Sequence, residues 1–182
     1  RAMKRTIDTF ELARAGAGLS GEIELAAMSR LGSILADVEG SVAWRLKGWR
    51  AARPQGGADD CMALSIAAAL RLPCVRCTGP VPVGLAVERA YRLVRSEAEA
   101  ERLDLDDPQY DVLAGDRRFD LEGLVEDEAI MALPLAPRHE RCELPAHDAL
   151  AAEPAAEAGR PGPFAALAKL KNGAQNTDII ED

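Results

Sequence analysis

Two thiols separated by two residues open the chemical reading of this chain: in Cys74-Val75-Arg76-Cys77 both sulfurs can bite one tetrahedral ion. Downstream, His139-Glu140-Arg141-Cys142 offers one imidazole and one further thiolate. Cys74, Cys77, His139 and Cys142 could therefore form a Cys3His site, and zinc is the cofactor such ligands would suit. A clip of that kind would close a loop of about sixty residues and stabilise a small core. The alternative is that Cys74 and Cys77 are reduced structural thiols at a strand end, with His139 and Cys142 exposed. A thioredoxin-type redox motif should open a helix, which Pro80 and Pro82 oppose here.

Acids form the second candidate. Glu122, Glu126, Asp127 and Glu128 crowd one predicted helix, with Glu122 and Glu126 on one face at i and i+4. Catalysis by paired carboxylates would also need a nucleophile, an oriented base or a metal near by. The chain has only two histidines, His139 and His147, and no Ser/His/Asp or Cys/His constellation can be assembled around them. The acidic helix is expected to be a partner-binding face or a solvated one, and the chain is not expected to be an enzyme.

Cations near aromatics form the third. Trp44, Arg45 and Lys47 lie on one predicted strand and Arg89, Tyr91 and Arg92 on another, the pattern of a platform that stacks single-stranded RNA. Arg50, Arg53 and Arg95 extend these clusters. The same residues would equally serve as the wet face of a half-buried sheet. No Gly-rich phosphate loop of the P-loop or dinucleotide type occurs.

The elements that must position these groups follow from periodicity. Val42, Trp44 and Leu46 alternate with Arg45 and Lys47, predicting a half-buried strand over 41–49. After a loop over 53–60, the run Met62, Leu64, Ile66, Ala68, Leu70, Leu72 repeats at period two. A Pro/Gly turn over 78–82 leads to a third alternating run from Val83 to Leu93. Short helices and a strand are expected over 7–31, a short helix over 96–102 and a final strand over 110–114. Asp120 should cap a helix running to Met131, stopped by Pro134. The expected fold is α+β: an antiparallel β-meander, or a partly open barrel, with flanking helices. It forms a single domain over 1–145, followed over 146–182 by an Ala-, Glu-, Pro- and Gly-rich mobile tail that carries a short amphipathic helix near 163–171.

With 182 residues the chain suits one domain, and at 4% aromatic content its core must be aliphatic. No apolar run reaches the roughly 18 residues of a membrane span and no secretory leader is evident, so a cytoplasmic location without membrane contact is expected. Residues 1–95 carry about +5 and residues 96–182 about −13, within a net −8. Acidity disfavours RNA binding by the whole surface and suits a basic protein partner.

The order of these motifs carries a family likeness. Leu72-Pro73-Cys74-Val75-Arg76-Cys77, then Phe119-Asp120-Leu121, Val125-Glu126-Asp127-Glu128, Ala132-Leu133-Pro134, Pro137, His139, Cys142 and Pro161-Gly162-Pro163-Phe164 closely resemble the YceD-like proteins of proteobacteria, the large ribosomal RNA subunit accumulation family. The resemblance spans nearly the whole chain and is specific over 60–171. It implies a role in synthesis, processing or stability of 23S ribosomal RNA, in a family without established catalytic residues. Relatives outside proteobacteria look more like zinc ribbons, with a second cysteine pair where this chain has His139 and Cys142. The function expected is a non-catalytic ribosome-biogenesis factor acting through a ribosomal protein or an rRNA-processing factor of the large subunit. The alternative is a direct RNA-binding module on the sheet.

Overall fold

The structure, a computed structural model, describes residues 6–54, 56–104 and 110–142. The chain separates into two units, Arg1–Leu144 and Pro145–Asp182. The second unit lies outside the described residues, and with it the expected tail and the helix near 163–171.

The three alternating runs form a meander of β3 (Ser41–Ala52), β4 (Ala58–Pro73) and β5 (Pro80–Val94). Ahead of them β2 (Gly18–Glu24) pairs antiparallel with β3, and after them β6 (Asp111–Ala114) pairs parallel with β5. That parallel return requires a crossover, which α3 (Glu97–Asp104) supplies. The sheet order β2-β3-β4-β5-β6 leaves β2 and β6 as edges, so the sheet is open and does not close into a barrel. A small pair, β1 (Thr6–Ile7) with β7 (Phe119–Asp120), ties the described start of the chain to the entry of α4 (Leu121–Met131).

Period two puts Val42, Trp44, Leu46, Met62, Leu64, Ile66, Leu85, Val87 and Tyr91 on one face of the sheet, all buried. Leu12 of α1 (Thr9–Ala15), Leu31 of α2 (Ser29–Gly32) and Leu121, Val125 and Ala129 of α4 complete this core. Each fully buried aliphatic side chain contributes about 1.5–3 kcal/mol, which compensates for the scarcity of aromatics. The opposite face carries Ala43, Arg45, Lys47, Ser65, Ala67 and Glu88, exposed or half-buried.

Helix ends follow local chemistry. Asp8 Oδ1 accepts from the Glu11 N–H at 2.9 Å to start α1, which Gly16 ends at φ 58°. Asp120 Oδ1 accepts from the Gly123 N–H at 3.0 Å to start α4, as its position predicts. Helix α1 lies so close to β3 that a Cβ on Gly48 would sit 2.4 Å from the Leu12 carbonyl oxygen.

One expectation changes. The loop expected over 53–60 is shorter, because Asp59 and Asp60 join the ladder opposite Ala51 and Arg50. Arg53 Nε donates to Asp59 Oδ1 at 2.8 Å, and Asp60 Oδ1 sits 3.2 Å from Arg50 Nε. These pairs let acids, poor strand formers by themselves, extend β4.

Candidate metal centre

The long β4–β5 hairpin carries Cys74 and Cys77 to its tip, where strand pairing ends at Pro73 and Pro80. The loop is a tight knuckle: the Thr78 N–H donates to the Cys74 carbonyl at 2.9 Å and the Cys74 N–H to the Gly79 carbonyl at 2.8 Å. Closing it puts Thr78 at φ 60°, the one described non-glycine residue with positive φ. A β-branched residue is strained there, and such strain collects where the backbone serves a site.

After α4 the chain turns back to this tip, and the Val75 N–H donates to the Pro137 carbonyl at 2.9 Å. That contact delivers His139 and Cys142. Cys74 Sγ lies 3.5 Å from Cys142 Sγ, Cys77 Sγ 3.4 Å from His139 Nδ1, and Cys142 Sγ 3.9 Å from His139 Nδ1. All four donor atoms fall within 4.8 Å of one another. A tetrahedron with Zn–S bonds of about 2.3 Å has edges of about 3.8 Å, so the cluster is compatible with a zinc site. Cys74 is buried and the other three are half-buried.

Two features prepare the donors. A carbonyl can only accept, so His139 Nε2–H donates to the Pro80 oxygen at 3.0 Å and the Nδ1 lone pair faces the sulfurs. Burial opposes ionisation of Cys74, but the backbone N–H groups of Cys77, Arg76 and His139 and the Cys142 thiol outweigh it and pull Cys74 down to about 5. Burial and the neighbouring sulfurs of Cys74 and Cys77 push Cys142 up. A cation would relieve that repulsion.

The acids of α4 divide. Glu126 is buried at 9% exposure and points inward: Oε1 accepts from the Arg30 and Leu31 N–H groups at 2.8 and 3.0 Å, and Oε2 from Arg30 Nε at 3.0 Å. Burial would raise its pKa, but the Leu31 N–H and Arg30 bonds prevail and hold it below the ordinary carboxylate value. Glu128, also buried, accepts from Tyr91 Oη at 2.8 Å and from Arg89 Nε at 3.2 Å. Asp127 is exposed and pairs with Arg30, and Glu122 is half-buried.

The cation and aromatic residues also separate. Trp44 and Tyr91 are 3% exposed and belong to the core, so neither ring is open to a nucleobase. Arg45 and Lys47 point to the opposite face, where Lys47 Nζ reaches the Gly16 carbonyl at 2.7 Å. Arg89 turns toward α4. Arg92 instead joins Arg50, Arg53 and Arg95 around a cleft that Arg14 and Arg117, separated by 103 positions of sequence, help to line. Sequence reading missed Arg14 and Arg117 because no local pattern links them.

Among the described residues no helix is long and apolar enough to cross a membrane. A family model described as "Large ribosomal RNA subunit accumulation protein YceD" matches residues 62–171. A protein of that name from Haemophilus influenzae is 39% identical over 104 residues, which is 55% of this chain and 59% of the relative's own length. No solved structure matches significantly. The matched segment runs from β4 through all four candidate ligands and covers more than half of the chain, which therefore belongs to the YceD family, linked to accumulation of the large ribosomal subunit RNA.

Proposed function

We propose that this chain is a non-catalytic ribosome-biogenesis factor that supports synthesis, processing or stability of 23S ribosomal RNA, with a zinc ion on Cys74, Cys77, His139 and Cys142 clipping the hairpin tip to the segment after α4. The observation that carries this reading is the convergence of four metal donors inside the family-matched region. Three thiolates and one imidazole fill a tetrahedral shell, leaving no open position for a reacting water, which is the pattern of a structural zinc. The acid helix supports the same view, since the Glu126 and Glu128 carboxylates are engaged by Arg30, Arg89, Tyr91 and backbone N–H groups and are not free to act as bases.

The partner we infer is a basic ribosomal protein or an rRNA-processing factor of the large subunit, attracted by the −13 charge of residues 96–182. On α4 this surface would use Glu122 and Asp127, while Glu126 and Glu128 hold the helix in place. The test is a pull-down of the tagged chain from lysate with and without ribonuclease, read by mass spectrometry. Large-subunit proteins or processing factors that survive ribonuclease support the protein-adaptor reading, and loss of every partner with the RNA overturns it. A second reading, direct RNA contact, is favoured by the arginine-lined cleft.

A further inference from the structure

We propose that the cleft at the end of the sheet, bounded by the β3–β4 turn, α1 and the β6–β7 loop, binds the phosphodiester backbone of single-stranded RNA. It deepens the second reading above by naming the surface. The cleft encloses about 950 Å³ and is lined by Arg14, Arg50, Arg53, Arg92, Arg95 and Arg117. Five carboxylates, Asp8, Asp59, Asp60, Glu99 and Asp116, line the same hollow and offset much, but not all, of the mutual repulsion of the six guanidiniums.

Each described acid of the cleft has a partner within the protein, two of them an arginine and three a backbone N–H that leaves the carboxylate charged. Asp8 caps α1 through the Glu11 N–H. Asp59 is held by Arg53, whose bond lowers its pKa against the effect of burial, and Asp60 pairs with Arg50. Glu99 Oε2 accepts from the Arg95 N–H at 3.2 Å, and Asp116 Oδ1 from the Arg118 N–H at 2.6 Å. Arg14, Arg95 and Arg117 are exposed, and among the described residues their guanidiniums have no ion-pair partner. The described lining, in which the guanidiniums without an ion-pair partner are those of Arg14, Arg95 and Arg117, thus carries six arginines against five carboxylates, a net charge of about +1. The negative net charge of the chain does not cancel it, because at physiological salt fields between exposed charges decay within about 8 Å.

A free phosphate would fill little of this volume, whereas a strand could meet several guanidiniums in succession, each able to fork onto phosphate oxygens. A feature beside the cleft favours nucleic acid over an acidic peptide. Arg53 and Arg92 also line an adjoining hollow of about 290 Å³, with Tyr110 on its wall. Tyr110 and the half-buried Trp49 form a tilted aromatic pair, with centroids 6.3 Å apart and planes at 52°. Rings flanked by cations are what a base beside its phosphate needs.

The experiment is fluorescence anisotropy of a labelled oligouridylate titrated with the full zinc-supplemented chain over a range of NaCl. Wild type should bind with steep salt dependence. Arg14→Gln/Arg95→Gln/Arg117→Gln should weaken binding at low salt at least about tenfold and reduce the log–log salt slope by about 2, at about 0.7 per lost phosphate contact on a single strand. The triple lysine variant at the same positions should keep the slope, and Arg45→Gln/Lys47→Gln on the open sheet face should change nothing. An unchanged slope in the triple glutamine variant overturns the inference, as does absence of wild-type binding at low salt. Poly-glutamate binding more tightly than oligouridylate would also overturn it, reassigning the cleft to an acidic peptide. The broader rRNA reading fails on a different result, normal 23S RNA in cells lacking the gene.

Discussion

Removing zinc from the proposed Cys74, Cys77, His139 and Cys142 clip should cost the fold a large share of its stability. The Cys77–His139 contact bridges 62 positions of sequence and the Cys74–Cys142 contact 68. Cross-linking a loop of that length removes about 4 kcal/mol of chain entropy from the unfolded state. By linkage, a stabilisation of about 4 kcal/mol corresponds to free zinc at about a thousand times its Kd. For a folded unit of this size the loss corresponds to a fall in Tm of about 10–20 °C. The assay is calorimetry of zinc-loaded and chelator-treated protein, with a non-thiol reductant present so that Cys74 and Cys142 do not form a disulfide in the apo form. Metal content must be measured on both samples. An equal Tm for protein with one zinc per chain and protein with none would refute the clip.

Three further perturbations probe the frame around the site. Gly48→Ala should destabilise by about 3 kcal/mol in chemical denaturation, because its Cβ would stand 2.4 Å from the Leu12 carbonyl oxygen and α1 would have to move. Glu126→Gln should cost about 2 kcal/mol, since a neutral amide cannot replace the carboxylate that receives Arg30 and two backbone N–H groups. Glu126 has a folded pKa below its ordinary 4.5, so its contribution is present above that pH and is lost as pH falls through the folded value; acid titration of stability should be shallower in the variant. Tyr91→Phe, which deprives the buried Glu128 of a donor at 2.8 Å, should cost about 1–2 kcal/mol by the same assay.

Much of the sheet was legible because period two is a strong signal when one face is buried. The meander, the Asp120 cap and the final short strand all follow from it or from local chemistry. The same alternation separates Trp44 from Arg45 and Lys47 by placing them on opposite faces, so the expected stacking platform divides between the core and the open face. The outer acids of α4 could not be told from the inner ones by spacing alone. Glu126 and Glu128 turn inward because Arg30, Leu31, Arg89 and Tyr91 receive them, and those groups belong to distant elements. The four candidate ligands were legible as two spaced pairs, but their meeting depends on the Val75–Pro137 contact that returns the chain to the hairpin tip. Four of the six cleft arginines, Arg50, Arg53, Arg92 and Arg95, were legible as cation clusters along the strands, whereas Arg14 and Arg117 join them only through the fold.

The most direct measurement is the ratio of 23S to 16S ribosomal RNA in cells lacking the chromosomal gene, complemented by wild type or by Cys74→Ser/Cys77→Ser. A zinc-clipped accumulation factor predicts a lowered ratio in the deletion, restoration by wild type and no restoration by the cysteine variant. A normal ratio in the deletion, or full restoration by a variant shown to carry no zinc, would contradict it.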